Sequence, residues 1–186
     1  MGYGVSACAT CDGFFYKDKK VTVVGGGNTA VEEALFLTNF ASEVTLIHRR
    51  NELRAEKILQ KKLFDHPKVK VIWDSEIKEI LGQDNPPSVE SIIIKNVKTN
   101  NETKLEADGV FVAIGHSPSS KIFNDKLNIT ESGYIITEPD STKTSSVGVF
   151  AAGDVTDDKY RQAVTAAGMG CMAALEVESF LSSEED

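Results

Sequence analysis

The chain has 186 residues, 41% of them hydrophobic and 26% charged, enough to bury the core of one large domain or two small ones and too apolar for a disordered chain. Its formal charge of -8 argues against a nucleic-acid partner, although Glu176, Glu178, Glu184, Glu185 and Asp186 concentrate negative charge in a tail expected to fray. No apolar run approaches the roughly 18 residues of a membrane span, and the first residues lack the order of a secretory signal, so the expectation is a soluble cytoplasmic protein with no membrane partner.

The first distinctive stretch is SACATCDG, Ser6 to Gly13. A C-x-x-C has three common readings: half of a zinc site, a structural disulfide, or a dithiol that cycles between reduced and oxidised forms. Three cysteines, Cys8, Cys11 and Cys171, do not suit a disulfide-stapled secreted fold. Zinc needs about four ligands, and no second C-x-x-C or spaced histidine pair supplies them, since His48, His66 and His116 are scattered. No metal site is expected, and the redox dithiol is favoured. Cys171 lies among small and apolar residues at helical spacing and is expected to be a buried core thiol.

From Lys20 the sequence predicts a βαβ unit: a strand over Val21–Val24, a glycine turn, an amphipathic helix over Asn28–Phe40 and a second strand over Glu43–His48. A further helix is expected over Ala55–Phe64, stopping before Pro67, followed by the strand VKVIW. Strand-like segments at Glu79–Leu81, Ser91–Val97 and Thr103–Glu106 are separated by the turn-rich GQDNPPS and KTNNE and read as an antiparallel meander. The strand Gly109–Gly115 returns to the core, and HSPSS after it reads as a domain boundary. Beyond it, GYIIT and GVFAAGDV are expected as strands and Arg161–Leu181 as a closing helix. The last 70 or so residues are few for an independent core and are expected to complete a domain whose other part lies elsewhere. The fold class is therefore α/β, a Rossmann-like domain with a parallel sheet and an antiparallel meander over residues 1–117, followed by part of a second domain over residues 118–186.

Gly25, Gly27 and Ala30 fit the G-x-G-x-x-A form of the dinucleotide fingerprint, in the strand-to-helix context that gives the motif its meaning. Gly25 allows the tight turn, Gly27 lets a pyrophosphate approach the backbone, and Ala30 lets helix pack close to strand. The candidate cradle is Gly25, Gly26, Gly27, Asn28, Thr29 and Ala30, with Gly115 at the end of the last core strand. An NAD site carries an acidic residue at the end of the second strand. Here that strand ends in HRRNELR, and Arg49, Arg50 and Arg54 put guanidinium groups where a 2′-phosphate would sit. NADPH is the expected cofactor, with His48 as a packing or orienting residue. A hydride donor and a cysteine pair are usually bridged by a flavin, which predicts one here.

The segments SACATCDGFFY, GGGNTAVEEA, HRRNELRAEKIL, FVAIGHSP, VFAAGDV and YRQAVTAAGMGCMAA closely resemble, in order and spacing, the low-molecular-weight bacterial thioredoxin reductases. By that resemblance Cys8 and Cys11 are the redox-active pair, with Cys11 facing the flavin and attacking thioredoxin, and Asp12 is the acid/base that manages the thiol protons. Gly153 and Asp154 resemble the pair that contacts the ribityl and phosphate region of FAD, and Arg161, Gln162 and Ala163 the segment beside its ring. The resemblance implies NADPH and FAD as cofactors, thioredoxin as partner and a homodimer in the full-length form. The family's first FAD-binding fingerprint has no counterpart here, so residues 118–186 are expected to be the C-terminal part of a FAD domain, and the chain by itself to be a poor catalyst. Rival readings are a peroxiredoxin-reducing flavoprotein relative and a non-catalytic NADPH-binding module.

Overall fold

The computed structural model describes residues 3–184; Met1, Gly2, Glu185, Asp186 and the side chain of Glu184 lie outside the described residues, so part of the expected acidic tail does too. The chain divides into two compact units, one ending at Gly115 and the other beginning at His116.

The first unit holds a five-stranded parallel sheet and a three-stranded antiparallel one. In the parallel sheet β1 (Val5–Ser6), β2 (Lys20–Gly25), β3 (Glu43–Ile47), β4 (Val69–Ile72) and β8 (Gly109–Ala113) lie in the order β1-β8-β2-β3-β4. The other sheet is the expected meander, β5 (Ser75–Asp84), β6 (Pro87–Asn96) and β7 (Glu102–Glu106). Alternation along the central strands sends their side chains to two cores. Val21, Val23 and Phe111 pack with Val31, Ala34 and Leu37 of α2 (Asn28–Leu37) and Leu63 of α3 (Lys57–Phe64). Val110, Val24 and Val112 face the opposite way, onto Val89, Ile92 and Ile94 of the meander. The parallel sheet is thus covered by helices on one face and by the antiparallel sheet on the other.

Several boundaries differ from the sequence reading. Helix α2 stops at Leu37 rather than Phe40, because Thr38, Asn39 and Phe40 donate their N–H groups to the carbonyls three residues back and Thr38 Oγ1 also bonds Leu35 O, closing a tighter turn. Helix α3 starts at Lys57 because the backbone of Glu56 is held extended, its N–H bound to Asn28 Oδ1 at 2.8 Å. Strand β5 is longer than expected; irregularities between Ile77 and Glu79 and between Leu81 and Gly82 break the alternation by which strands are read. The two-residue β1 and the single turn α1 (Ala9–Asp12), continued as a 3₁₀ turn over Gly13–Tyr16, were not foreseen.

The second unit corrects three expectations. GYIIT and GVFAAGDV form no ladder: only the bridges Ile129–Ile135, Thr137–Thr144 and Lys143–Phe150 pair there, and Gly153–Val155 is a 3₁₀ turn. The polar run between the two stretches takes up its hydrogen bonds in local turns instead. The closing helix, α4 (Ala163–Glu184), is bound to these turns through Glu176, whose carboxylate accepts from Ser141 Oγ (2.6 Å), Thr142 N (2.8 Å) and Thr142 Oγ1, and through Phe180, whose ring meets Phe150 at 6.1 Å. Cys171 on this helix is exposed, not buried. An 18-residue window within Ala163–Ser183 has a mean hydropathy of 1.3, which by length and composition alone reaches membrane-spanning range; alanines and larger apolar residues raise that mean, while Gly168, Gly170, Glu176 and Glu178 interrupt the apolar run.

Phe111 is fully buried with its ring edge-on to Tyr16 at 5.2 Å. Phe111→Ala is expected to lower the stability of the first unit by about 3 to 5 kcal/mol, read from the urea midpoint.

Candidate functional site

The glycine turn is shaped by what cannot fit beside it. A Cβ on Gly25 would strike the carbonyl of Ala113 on β8 and lie 2.6 Å from Ala30 Cβ, so strand and helix meet only over a bare backbone. Gly26 lies beneath the His48 imidazole, whose Nε2 would be 2.7 Å from a Cβ there. Gly27, by contrast, faces open space, with nothing within 4 Å of its Cβ position. The basic turn after β3 is tied to this cradle. Arg54 N donates to Gly26 O at 2.7 Å, and Asn28 accepts from Glu56 N.

A cavity of about 460 Å³ opens at the carboxyl ends of the parallel strands, the general ligand position of such sheets. Its walls include Gly25, Gly26, Gly27, Thr29, His48, Arg49, Arg54 and Gly115 of the residues singled out in the sequence; Asn28, Ala30 and Arg50 are not on them. Arg50 is exposed, and Ala30 is buried in the helix–sheet contact. The walls also include Ser75, Glu76 and Ile114. The sequence did not point to these because no motif marks them: the meander, remote from the fingerprint, brings in Ser75 and Glu76. Helix α2 presents its N-terminus to the cavity, where free N–H groups and the dipole favour an anion. His48 is 6% exposed and among the described residues its Nε2 has no hydrogen-bond partner, an orphaned polar atom in the wall of an anion cradle. These residues fit a dinucleotide.

Burial holds the His48 imidazole below its ordinary value of 6.5; the carbonyls of Gly25 and Glu52 oppose that effect, and the Arg50 and Arg54 charges add to it.

Cys8 and Cys11 are joined as a disulfide, with Cα atoms 5.3 Å apart. Cys11 is exposed and Cys8 half-buried. The turn between them is held by Cys8, whose Sγ accepts from Cys11 N at 3.1 Å, while Ser6 Oγ accepts from Cys8 N at 3.0 Å. Asp12 ends this turn, half-buried. Burial raises the pKa of Tyr16, and the charges of Asp12 and Asp108 raise it further. Phe14 and Phe15, at 69% and 71% exposure, form an apolar surface next to the disulfide. The adjacent aromatics in a polar stretch were their only signal in the sequence.

In the second unit Gly153 adopts φ +76°, a conformation that favours glycine, and Asp154 beside it is exposed. Arg161, at φ +50°, hydrogen-bonds His116 Nδ1 through Nη1 at 3.2 Å. Gln162 donates to the carbonyls of Tyr160 and Arg161, and Ala163 opens α4. Asp157, which sequence reasoning missed, organises this segment by accepting from the backbone N–H groups of Lys159, Tyr160 and Arg161 at 2.8–2.9 Å. Burial alone would raise its pKa; those donors outweigh it and hold the carboxyl below its ordinary range.

The sequence profile of the pyridine nucleotide-disulphide oxidoreductases matches residues 1–170, and the chain belongs to that family. Within it the chain is similar to the thioredoxin reductase of Rickettsia felis, with 60% identity over 181 residues, 97% of this chain and 58% of the relative. It is 56% identical to the Coxiella burnetii enzyme of the same name, covering 98% of this chain and 59% of that one. The solved thioredoxin reductase of Streptococcus pyogenes superimposes with a TM-score of 0.89 at 47% identity, over 97% of this chain and 58% of that structure. That of Giardia duodenalis gives 0.85 at 42%, over 96% and 58%. The chain thus spans little more than half the length of the relatives it matches.

His48 makes the first unit sensitive to acid. Because its folded-state pKa lies below 6.5, the unfolded chain takes up the proton first as pH falls through that value, so stability present above it is lost as pH falls towards the folded value. Urea midpoints are expected to drop from about pH 7.5 to about pH 5.5, and His48→Gln to flatten that part of the profile.

Proposed function

We propose that this chain is the pyridine-nucleotide and disulfide-bearing part, residues 1–117, together with the C-terminal flavin-binding part, residues 118–186, of an NADPH-dependent thioredoxin-disulfide reductase. One observation carries the reading. Ser6 pairs with Phe111 across β1 and β8, and two residues beyond each lie Cys8 and Ala113, so the disulfide turn and the nucleotide cavity leave the same edge of one sheet.

In this reading Gly27 and the N-terminus of α2 take the pyrophosphate, and Arg49 and Arg54 the 2′-phosphate, with Arg50 beside them. Gly153 and Asp154, with the segment Arg161–Ala163, belong to the flavin site; the exposed Asp154 carboxylate beside a glycine at positive φ suits a contact with flavin hydroxyls. When bound, NADPH would supply a hydride and FAD would carry the two electrons that the disulfide needs. The bond between Cys8 and Cys11 then breaks, two electrons and two protons leave a pair of thiols, and Asp12 moves a proton at the sulfurs. Cys11, the more exposed residue of the pair, attacks the disulfide of thioredoxin as a thiolate, Cys8 resolves the mixed disulfide, and thioredoxin leaves as a dithiol. Phe14 and Phe15 offer that protein an apolar landing surface. A cytoplasmic location, a homodimer of the full-length form and the absence of a nucleic-acid partner complete the proposal.

Titration calorimetry is expected to give tighter binding of NADPH than of NADH. Replacing Arg49 and Arg54 by alanine should cost NADPH about 1.5 to 3 kcal/mol per lost charged contact and leave NADH nearly unchanged. Equal affinity of the unmodified chain for the two nucleotides overturns the NADPH reading.

The thiols test the redox reading separately. Native protein should titrate with only Cys171 before reduction and with all three cysteines after it. In a Cys8→Ser variant, Cys11 should form a trapped mixed disulfide with a thioredoxin whose second active-site cysteine is replaced by serine and whose remaining thiol is activated as a disulfide with an aromatic thiol, the aromatic thiol leaving, seen as a mass increase on a non-reducing gel. No adduct, under conditions where Cys11 reacts with a small disulfide, overturns the assignment of Cys11.

A further inference from the structure

We infer that Glu76 reads the exocyclic amino group of the adenine ring and so sets base specificity at the adenosine end of the cavity. The inference rests on the NADPH reading of that cavity. Glu76 is the only acidic residue on its walls, where the other charged residues are Arg49 and Arg54. A carboxylate repels every phosphate of the nucleotide, so its place in an anion site is favourable only opposite a donor. Of the donors that adenosine offers, the exocyclic amino group is the farthest from the phosphates, where repulsion is weakest.

The position is fixed by backbone, not chance. Ser75 N donates to His48 O at 3.0 Å and Asp74 N to Arg50 O at 3.1 Å, tying the start of β5 to the basic turn. Asp74 makes the bend at φ +51° and is held by Lys98 at 2.8 Å. Adenine and the 2′-phosphate hang from one ribose, so a base whose phosphate lies at Arg49 and Arg54 is within reach of the strand bound to that turn. The Ser75 hydroxyl donates to Trp73 O at 2.8 Å and its residue is buried, whereas Glu76 is exposed and is the ionised acceptor of the two. Its cross-strand neighbour is Lys95, and among the described residues Glu76 takes part in none of the ion pairs.

The test compares NADPH with its analogue carrying unsubstituted purine in place of adenine, which lacks the amino group and gains no other. Fluorescence titration of the unmodified chain should show NADPH bound roughly tenfold more tightly, the size of one charge-assisted hydrogen bond. In Glu76→Ala that ratio should fall to about one, even if loss of the negative charge strengthens both affinities. Unchanged far-UV circular dichroism confirms that the variant folds. Intact NADPH binding with the same ratio in both proteins overturns the assignment of Glu76 alone, whereas failure of NADPH to bind the unmodified chain overturns the nucleotide reading with it.

Discussion

The architecture of the first unit depends on the missing side chain at Gly25. There β2 ends, α2 begins and β8 passes close by, and one methyl group would collide with the Ala113 carbonyl and press on Ala30 at 2.6 Å. With no Cβ, the helix can start on the sheet itself and point its free N–H groups into the cleft. The next residue repeats the device for another purpose, since Gly26 gives up its side chain to the His48 ring and its carbonyl to Arg54 N. Two consecutive glycines thus fix both the helix that favours phosphate and the turn that carries the arginines. Gly27, free of such contacts, keeps its surface for the ligand.

That division explains what was legible in the sequence. The fingerprint, the βαβ order and the meander could be read because each rests on local rules: glycine at a tight turn, β-branched alternation, turn residues between strands. The residues of the cradle were legible for the same reason, although a glycine between the two of G-x-G is not demanded by the motif and only the His48 ring accounts for it. Glu76, Ser75 and Asp157 were not legible. The first two reach the cavity through hydrogen bonds between the meander and the basic turn, and such contacts leave no period in the chain. Asp157 acts through three backbone N–H groups that any residues could supply. The expected strands of the second unit failed on the opposite ground, because β-branched stretches such as GYIIT satisfy local propensity yet find only single bridges to pair with.

The cysteine pair shows how a motif gains meaning from its anchor. A C-x-x-C on a loose terminus would be a thiol pair of no fixed address. Here Val5 and Ser6 pair with Val110 and Phe111, Gly4 O accepts from Val110 N at 2.8 Å, and Tyr16 on the far side of the turn packs against Phe111 and over Gly109. The turn is therefore held at both ends by the same strand. What the strand leaves at the surface is the exposed Cys11 and the two exposed phenylalanines.

Strand β8 consequently serves two sites at once. Its first residues, Gly109 to Phe111, hold the disulfide turn, and Ala113 to Gly115 at and beyond its end line the cavity. Residues in one strand are coupled through the sheet on both faces, here through Phe111 towards the helices and Val110 and Val112 towards the meander. A change that shifts β8 along its neighbours by one residue would exchange those faces, burying what the cavity needs open and loosening the turn that bears the sulfurs. Selection on either site therefore constrains the other, although no side chain need be shared between them.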